Sequence, residues 1–235
     1  SDIIEILPKK VLDKIFSFLT AGDVLKCSLV NKKWQNFVAN SSVCMNKITL
    51  IICEPYSGMY RNFSSVDIPA LIKNGRKYQH IRILINKQMT HEHWLLIGSF
   101  KWRSVMLCHH SFLTEMELIK FMGIIEPTIE DLELKYIKIS QTSRQQIPET
   151  SFKFPNLKTL KFSRSCSYIL NEMFKNVETI VKLSLETREK SNHEDCDAIV
   201  TERIEAFKTF LRKLTKLKRL NLRLNQADYD KMFLN

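Results

Sequence analysis

The stretch from Leu7 to Trp34 reads LPKKVLDKIFSFLTAGDVLKCSLVNKKW, and it decides the interpretation of the N-terminal part of the chain. Pro8 suits the first turn of a helix, where the amide hydrogen that proline lacks would have no partner. Apolar residues then recur at steps of three and four, which is typical of a helix with one buried face. The stretch therefore predicts a helix whose apolar side is formed by Val11, Leu12, Ile15 and Leu19.

Two further short helices are predicted after the first. Gly22 should end the first helix, Asp23 should cap the second, and Asn31 can cap the third. Helices of this length are marginal in isolation, and a unit of about 40 residues cannot bury enough apolar surface alone. Its apolar residues should therefore pack on the rest of this chain or on a partner. Those of the second and third helices are Val24, Leu25, Leu29, Trp34, Phe37 and Val38.

In order and spacing this stretch resembles an F-box. The resemblance rests on the Leu-Pro start, the Asp-Val-Leu step at 23–25 and the ending LVNKKW at 29–34. It implies an all-helical module at residues 1–45 that binds a Skp-family adaptor, and through it cullin and a RING subunit of a ubiquitin ligase. The residues that the resemblance implies for forming or supporting this interface are Leu7, Pro8, Val11, Ile15, Leu19, Val24, Leu25, Leu29, Val30 and Trp34.

The length of 235 residues allows this module and one medium-sized domain, which we place at residues 46–235. Hydrophobic residues make up 44% of the chain, which is enough for a core. No apolar stretch approaches the ~18 residues of a membrane span, and the first residues lack the pattern of a secretory signal. The six cysteines have no metal or redox spacing, which indicates free thiols in a reducing compartment. We therefore expect a location in the cytoplasm, the nucleus or both.

The net charge of +11 is the unusual feature of the composition. Part of it lies in a late run of seven cations without an intervening acidic residue: Lys208, Arg212, Lys213, Lys216, Lys218, Arg219 and Arg223. A basic face of this kind can attract nucleic acid, acidic lipid or an acidic protein. A solvated face that keeps the protein soluble would explain the same run.

A short motif recurs through residues 46–235, in which an apolar residue is followed by two more at the third and fifth positions. Its clearest copy is Leu217, Leu220 and Leu222, followed by Asn225. Four of the five intervals between copies fall within the ~20–29-residue period of leucine-rich repeats, and the last interval is longer. The last apolar positions of the successive copies are Ile85, Leu107, Leu134, Phe162, Leu185 and Leu222, and Ile48 and Leu50 extend the series upstream.

The predicted fold class is therefore α/β, with a three-helix F-box followed by an irregular leucine-rich-repeat solenoid shaped as a horseshoe. Each copy predicts one short strand with one buried face, and stacking of the copies buries that face. Helices are predicted at 115–125 and 201–214, and loops at 140–151 and 186–197. Because no flexible linker follows the helices, the two parts should pack rigidly. An unrelated α/β layer with similar strands is the alternative.

Residues that alternate with the buried leucines should point to the concave strand face of such a solenoid, where a target protein is expected to bind. The row runs from neutral through acidic to basic, which fits a protein or peptide of mixed charge. Its members are Ser104, Met106, Asp131, Glu133, Thr159, Lys161, Lys182, Ser184, Arg219, Asn221 and Arg223.

No catalytic, metal or cofactor site is indicated. His91-Glu92-His93 lacks the spacing of the metalloprotease motif, and His109-His110 provides two ligands where zinc needs three or four. The five glycines form no phosphate-binding loop. The leading hypothesis is thus a non-catalytic substrate receptor of an SCF-type ubiquitin ligase. The alternatives are an adaptor-bound scaffold without a degraded target and a basic repeat protein that binds nucleic acid.

Overall fold

The computed structural model describes residues 2–53, 67–85, 89–109, 112–139, 152–163, 173–174, 176–186, 205 and 207–224. Five short helices form the N-terminal module: α1 Ile3–Ile6, α2 Lys9–Ser17, α3 Ala21–Cys27, α4 Lys32–Asn40 and α5 Ser42–Met45. The three predicted helices correspond to α2, α3 and α4, whereas α1 and α5 were not predicted. The Asn31 cap is confirmed, because its side chain accepts hydrogen bonds from the backbone amides of Lys33 and Trp34.

The start of α3 differs from the prediction. Thr20, and not Asp23, caps the helix, and Gly22 lies inside it. The Thr20 hydroxyl accepts from the Asp23 amide at 3.2 Å, while the Asp23 carboxylate accepts from the Thr20 amide at 3.4 Å. This reciprocal pair satisfies two amide groups that a single cap at Asp23 would leave without partners. The helix therefore begins earlier than the glycine suggested.

An aromatic cluster and a carboxylate hold the module together. The Phe16 ring lies 5.0 Å from that of Phe37 and 5.9 Å from that of Trp34. The Asp2 carboxylate, before α1, accepts from the Trp34 indole nitrogen and from the Asn31 side chain, both at 2.9 Å. These bonds, with that from Asn31 the largest cause, hold the pKa of Asp2 below its usual value. Asp2 thereby attaches α1 to α4.

The rest of the described chain is built on a parallel sheet. Nine described strands are interspersed with three helices, α6 Ile68–Lys73, α7 His91–Ser99 and α8 Glu115–Ile125. The strands are β1 Thr49–Cys53, β2 His80–Ile85, β3 Ser104–His109, β4 Phe112–Leu113, β5 Asp131–Lys135, β6 Lys138–Ile139, β7 Thr159–Ser163, β8 Lys182–Glu186 and β9 Arg219–Arg223. Seven strands form one sheet in the order β1-β2-β3-β5-β7-β8-β9, and β4 pairs with β6 in a second sheet. All described pairs are parallel. No helix of the described residues is long and apolar enough to span a membrane.

The register confirms most of the predicted strand positions and corrects one. Leu107, Leu134, Phe162, Leu185 and Leu222 stand opposite one another on successive strands. On β2, however, Leu107 pairs with Ile83 and not with Ile85. A shift of two residues preserves the alternation of apolar and polar positions, so the pattern alone did not exclude it.

The helical module and the sheet share one core. The cluster of buried residues is continuous from Phe16 in α2, through Leu107 and Leu134 in the sheet, to Leu214 before β9. The Arg76 guanidinium also donates to the Ser28 hydroxyl at 3.0 Å across the two parts. These contacts join the two parts, and their rigid packing stays a prediction.

The helices and loops that were predicted for the segments between the strands are confirmed only in part. Helix α8 is confirmed, and residues 207–213 are helical within the predicted 201–214. The predicted loop at 140–151 lies outside the described residues, as do residues 187–197 of the other loop, whose first residue instead ends β8. Parallel strands in chain order are common to repeat solenoids and other α/β layers. The established architecture is therefore an N-terminal helical module with a parallel sheet.

Candidate functional site

Exposed apolar side chains are concentrated on the first three helices. Of the twelve large apolar side chains that are exposed among the described residues, eight lie between residues 3 and 30. Single exposed apolar residues are ordinary, but such a concentration marks an interaction surface. We call this set the apolar helical surface: Ile3, Ile6, Val11, Ile15, Phe18, Leu25, Leu29 and Val30.

Helical periodicity separates this surface from the core. On α2, Leu12 and Phe16 are buried, whereas Val11 and Ile15 are exposed and Phe18 follows in the same row. On α3, Val24 is buried and Leu25 is exposed. Residues three or four positions apart share a helix face, so each helix presents one apolar row inward and another outward.

The ten residues that the F-box resemblance implied divide into three groups. Pro8, Val11, Ile15, Leu25, Leu29 and Val30 are exposed; Leu7, Leu19 and Trp34 are partly buried; Val24 is completely buried. Val24 therefore supports the module from inside, because its 0% exposure leaves no side-chain surface for a partner.

Three exposed apolar residues were missed from the sequence: Ile3, Ile6 and Phe18. Phe18 follows Ile15 by three positions, so the spacing contained the signal. Ile3 and Ile6 lie on α1, whose start is marked by Asp2 as an N-cap residue. This cap precedes Leu7, where the resemblance to an F-box begins.

The side of the sheet opposite the buried leucines carries the second predicted surface. The register aligns Ser104, Asp131, Thr159, Lys182 and Arg219 in one row, and Met106, Glu133, Lys161, Ser184 and Asn221 in the next. Arg223 lies two positions beyond Asn221 on β9. The eleven predicted target-binding residues thus share one side of the sheet, which we call the polar strand face.

A cavity of about 270 Å³ opens on the polar strand face between β1 and β7. Its lining includes Ser104, Met106, Asp131, Glu133, Thr159 and Lys161 from the predicted set. It also includes Thr49, His80 and Arg82, which the sequence analysis missed. Continuing the alternation into the weak repeat copy around Ile81 and Ile83 would have found the last two.

Charges on this side are partly paired. Glu133 lies between two lysines, 2.8 Å from the Lys135 ammonium and 4.0 Å from that of Lys161. His80 is one of the residues that line the cavity. Its burial and the nearby Arg103 guanidinium lower its pKa. Its imidazole is therefore neutral at pH 7, and its Nε2 atom is buried without a hydrogen-bond partner among the described residues. The cavity thus offers both charged and neutral polar groups.

Two ion pairs that share Glu130 form a network just before β3, β5 and β7. One Glu130 oxygen is 2.7 Å from the Arg103 guanidinium, and the other is 2.8 Å from the Lys158 ammonium. The hydrogen bonds from Arg103 and Lys158 lower the pKa of Glu130 to about 2. Because the three residues stand at matching positions before β3, β5 and β7, the network links adjacent strands.

The substitution Glu130→Gln should reveal this network through its pH dependence. Because the folded pKa of Glu130 is depressed, the network stabilises the fold above the usual pKa near 4.5 and loses its effect as pH falls toward 2. At pH 7 we expect the variant to lose about 0.5–1 kcal/mol of unfolding free energy, since the ion pairs are partly exposed. The difference from the native chain should shrink between pH 5 and 2.

Urea unfolding at several pH values measures this. The control is Glu178→Gln, at an exposed carboxylate without an ion pair in the described ranges, and it should stay within about 0.5 kcal/mol of the native chain. A Glu130→Gln deficit that is constant from pH 7 to 2 would contradict the assignment.

The described histidine and cysteine side chains that could have taken part in catalysis or metal binding have structural roles or are buried. The His93 ring nitrogen Nδ1 accepts from the Thr90 amide at 3.0 Å and completes the cap of α7. Burial raises the pKa of the Cys44 and Cys108 thiols, so they are poor nucleophiles at neutral pH. The side chains of His109 and His110, and all of Cys166 and Cys196, lie outside the described residues.

Comparison with known proteins adds one family. No curated protein matches the chain. Residues 4–46 match the family model of the F-box domain, and this range contains most of the apolar helical surface. F-box domains bind Skp-family adaptors, and F-box proteins are generally non-catalytic subunits of ubiquitin ligase complexes. The match over the N-terminal helices therefore supports an F-box protein.

Proposed function

We propose that this protein is the substrate-recognition subunit of an SCF-type ubiquitin ligase. The observation that carries the proposal is the apolar helical surface, most of which lies within the region that matches the F-box domain. An apolar row on a short helix binds a partner by inserting into a groove between the partner's helices. In this role the module holds the Skp-family adaptor, and cullin and the RING subunit join through that adaptor.

The sheet forms the target-binding part in this proposal, and we assign it to an irregular leucine-rich-repeat solenoid. In support, all seven strands are parallel and follow chain order. The polar strand face and its cavity are the proposed contact for the target. The chain performs no chemistry itself; it brings a lysine of the target near the ubiquitin-transferring enzyme. We place this activity in the cytoplasm, the nucleus or both.

Co-expression with a Skp-family adaptor, followed by size-exclusion chromatography, tests the first half of the proposal. We expect a stoichiometric complex that Ile15→Asp disrupts, because Ile15 is an exposed residue of α2. A chain that elutes alone beside folded adaptor would overturn it. Reconstitution with cullin, RING subunit and a captured target then separates a receptor from a scaffold, since a scaffold leaves the target unmodified.

A further inference from the structure

The part of the polar strand face formed by β7, β8 and β9 is predominantly basic. Four exposed cations lie there, Lys161, Lys182, Arg219 and Arg223, against one carboxylate, Glu186, which the register places opposite Arg223. That carboxylate already accepts from the Ser163 hydroxyl at 2.7 Å. We call the four cations the basic strand patch.

Two of these cations face each other with no counter-ion among the described residues. The register places Lys182 directly opposite Arg219 on the neighbouring strand, at a backbone spacing of about 4.8 Å. Neither has an ion pair within the described residues, whereas Lys161 is 4.0 Å from Glu133. Like charges opposite one another destabilise a sheet. The repulsion between Lys182 and Arg219 therefore lowers the stability of the sheet at this position, whereas Lys161 and Glu133 on the same face have opposite charges.

Neutral hydrogen-bonding groups lie between the cations. Thr159, Ser184 and Asn221 occupy the same two rows and make no side-chain hydrogen bond with other described residues. Hydroxyl and amide groups can donate to carboxylates, and such bonds to a charged acceptor are stronger than bonds between neutral groups. The patch therefore offers both charge and directed donors to an anionic ligand.

On this basis we propose that the basic strand patch binds an acidic segment of a target protein. The inference rests on the proposed function, because it names the chemistry of the target that the receptor holds. Three strands span about 10 Å and five residues about 16 Å, which is room for a short segment. The adjacent β5 carries Asp131 and Glu133 against one lysine, Lys135, on this face. Its net negative charge limits the patch on that side.

The strand positions of this face favour a protein over a nucleic acid. Within the described sheet, the outward positions carry no phenylalanine, tyrosine or tryptophan. Proteins that bind single-stranded nucleic acid without sequence preference stack bases on aromatic side chains. Carboxylates of a protein segment need cations and donors alone, and both are present here.

Fluorescence anisotropy with a labelled seven-residue peptide containing four glutamates tests the inference on the 235-residue chain in complex with its adaptor. The variant Lys182→Glu/Arg219→Glu should bind this peptide at least about tenfold more weakly at low salt, because two attractive pairs become repulsive. The control Lys73→Glu/Lys101→Glu changes the net charge equally at exposed lysines away from the patch and should stay within about twofold. The milder Lys182→Gln/Arg219→Gln should show an intermediate loss.

The outcomes separate the alternatives. Equal losses in the patch and control variants would overturn the inference, because net charge alone would then explain binding. Tighter binding of a five-nucleotide RNA, which has four phosphodiester charges, would also overturn it in favour of nucleic acid. Absence of the adaptor complex would instead overturn the proposed function alone, since peptide binding can be measured on the free chain.

Discussion

Replacement of Leu29 by aspartate should weaken adaptor binding by about a hundredfold or more while leaving the fold intact. Leu29 is 81% exposed, so the free protein loses almost no packing, and a surface change of this kind stays within about 0.5 kcal/mol. In the complex, the variant loses the burial of a leucine, about 1.5–3 kcal/mol. It also desolvates a carboxylate without a partner, at a further cost of about 1–3 kcal/mol or more. Each 1.4 kcal/mol is about tenfold in affinity.

Isothermal titration calorimetry of the purified chain with its adaptor measures the change in affinity. Leu95→Asp is the matched control, because Leu95 is a 50% exposed leucine on α7, outside the apolar helical surface. It should bind the adaptor normally. Normal binding by Leu29→Asp would mean that the adaptor does not cover the turn after α3, and an equal loss in both variants would indicate a general effect of the added charge.

Replacement of Trp102 by alanine should destabilise the protein by about 3–5 kcal/mol. Trp102 is 1% exposed, and its indole nitrogen donates to the Ile97 carbonyl of α7 at 2.8 Å. Its own carbonyl accepts from the Thr128 hydroxyl at 2.9 Å, and its ring lies 5.2 Å from that of Phe100. The substitution leaves a cavity and removes the donor to Ile97. A domain is typically stable by only about 5–15 kcal/mol, so the loss is a large fraction of the total.

Chemical denaturation followed by circular dichroism tests this expectation. Trp102→Phe keeps an aromatic ring but removes the indole donor, so it should lose less than the alanine variant. Lys101→Ala, one residue away at an exposed position, should change the unfolding free energy by less than about 0.5 kcal/mol. A loss below about 1 kcal/mol in Trp102→Ala would show that the ring does not fix the position of α7 on the sheet.

Local patterns in the sequence predicted most of the described elements. Helix α8 was predicted at its observed bounds, and in the structure Thr114 caps its start. The five aligned positions from Leu107 to Leu222 were found because each copy of the motif repeats the same spacing. The alignment of β2 with β3 was wrong by two residues, since alternation fixes which side a residue faces but not its partner.

The two candidate surfaces were predictable to different degrees. The polar strand face follows from alternation, so its eleven residues could be named before their neighbours were known. For the helices, Val24 and Leu25 are adjacent apolar residues, and only packing decides which one is buried. Phe18, three positions after Ile15, could have been assigned to the exposed row from its spacing, and it is 75% exposed.

The chain-order arrangement of the strands has a consequence for synthesis on the ribosome. Each strand of the seven-stranded sheet pairs with the strand of that sheet made just before it, so its template has already been synthesised when it is translated. Pairing between segments close in sequence has a smaller loop-closure cost than pairing between distant segments. The helices emerge first, and N-terminal units generally fold first during translation. The order of the strands therefore allows the sheet to grow from the helical module outward, one strand at a time.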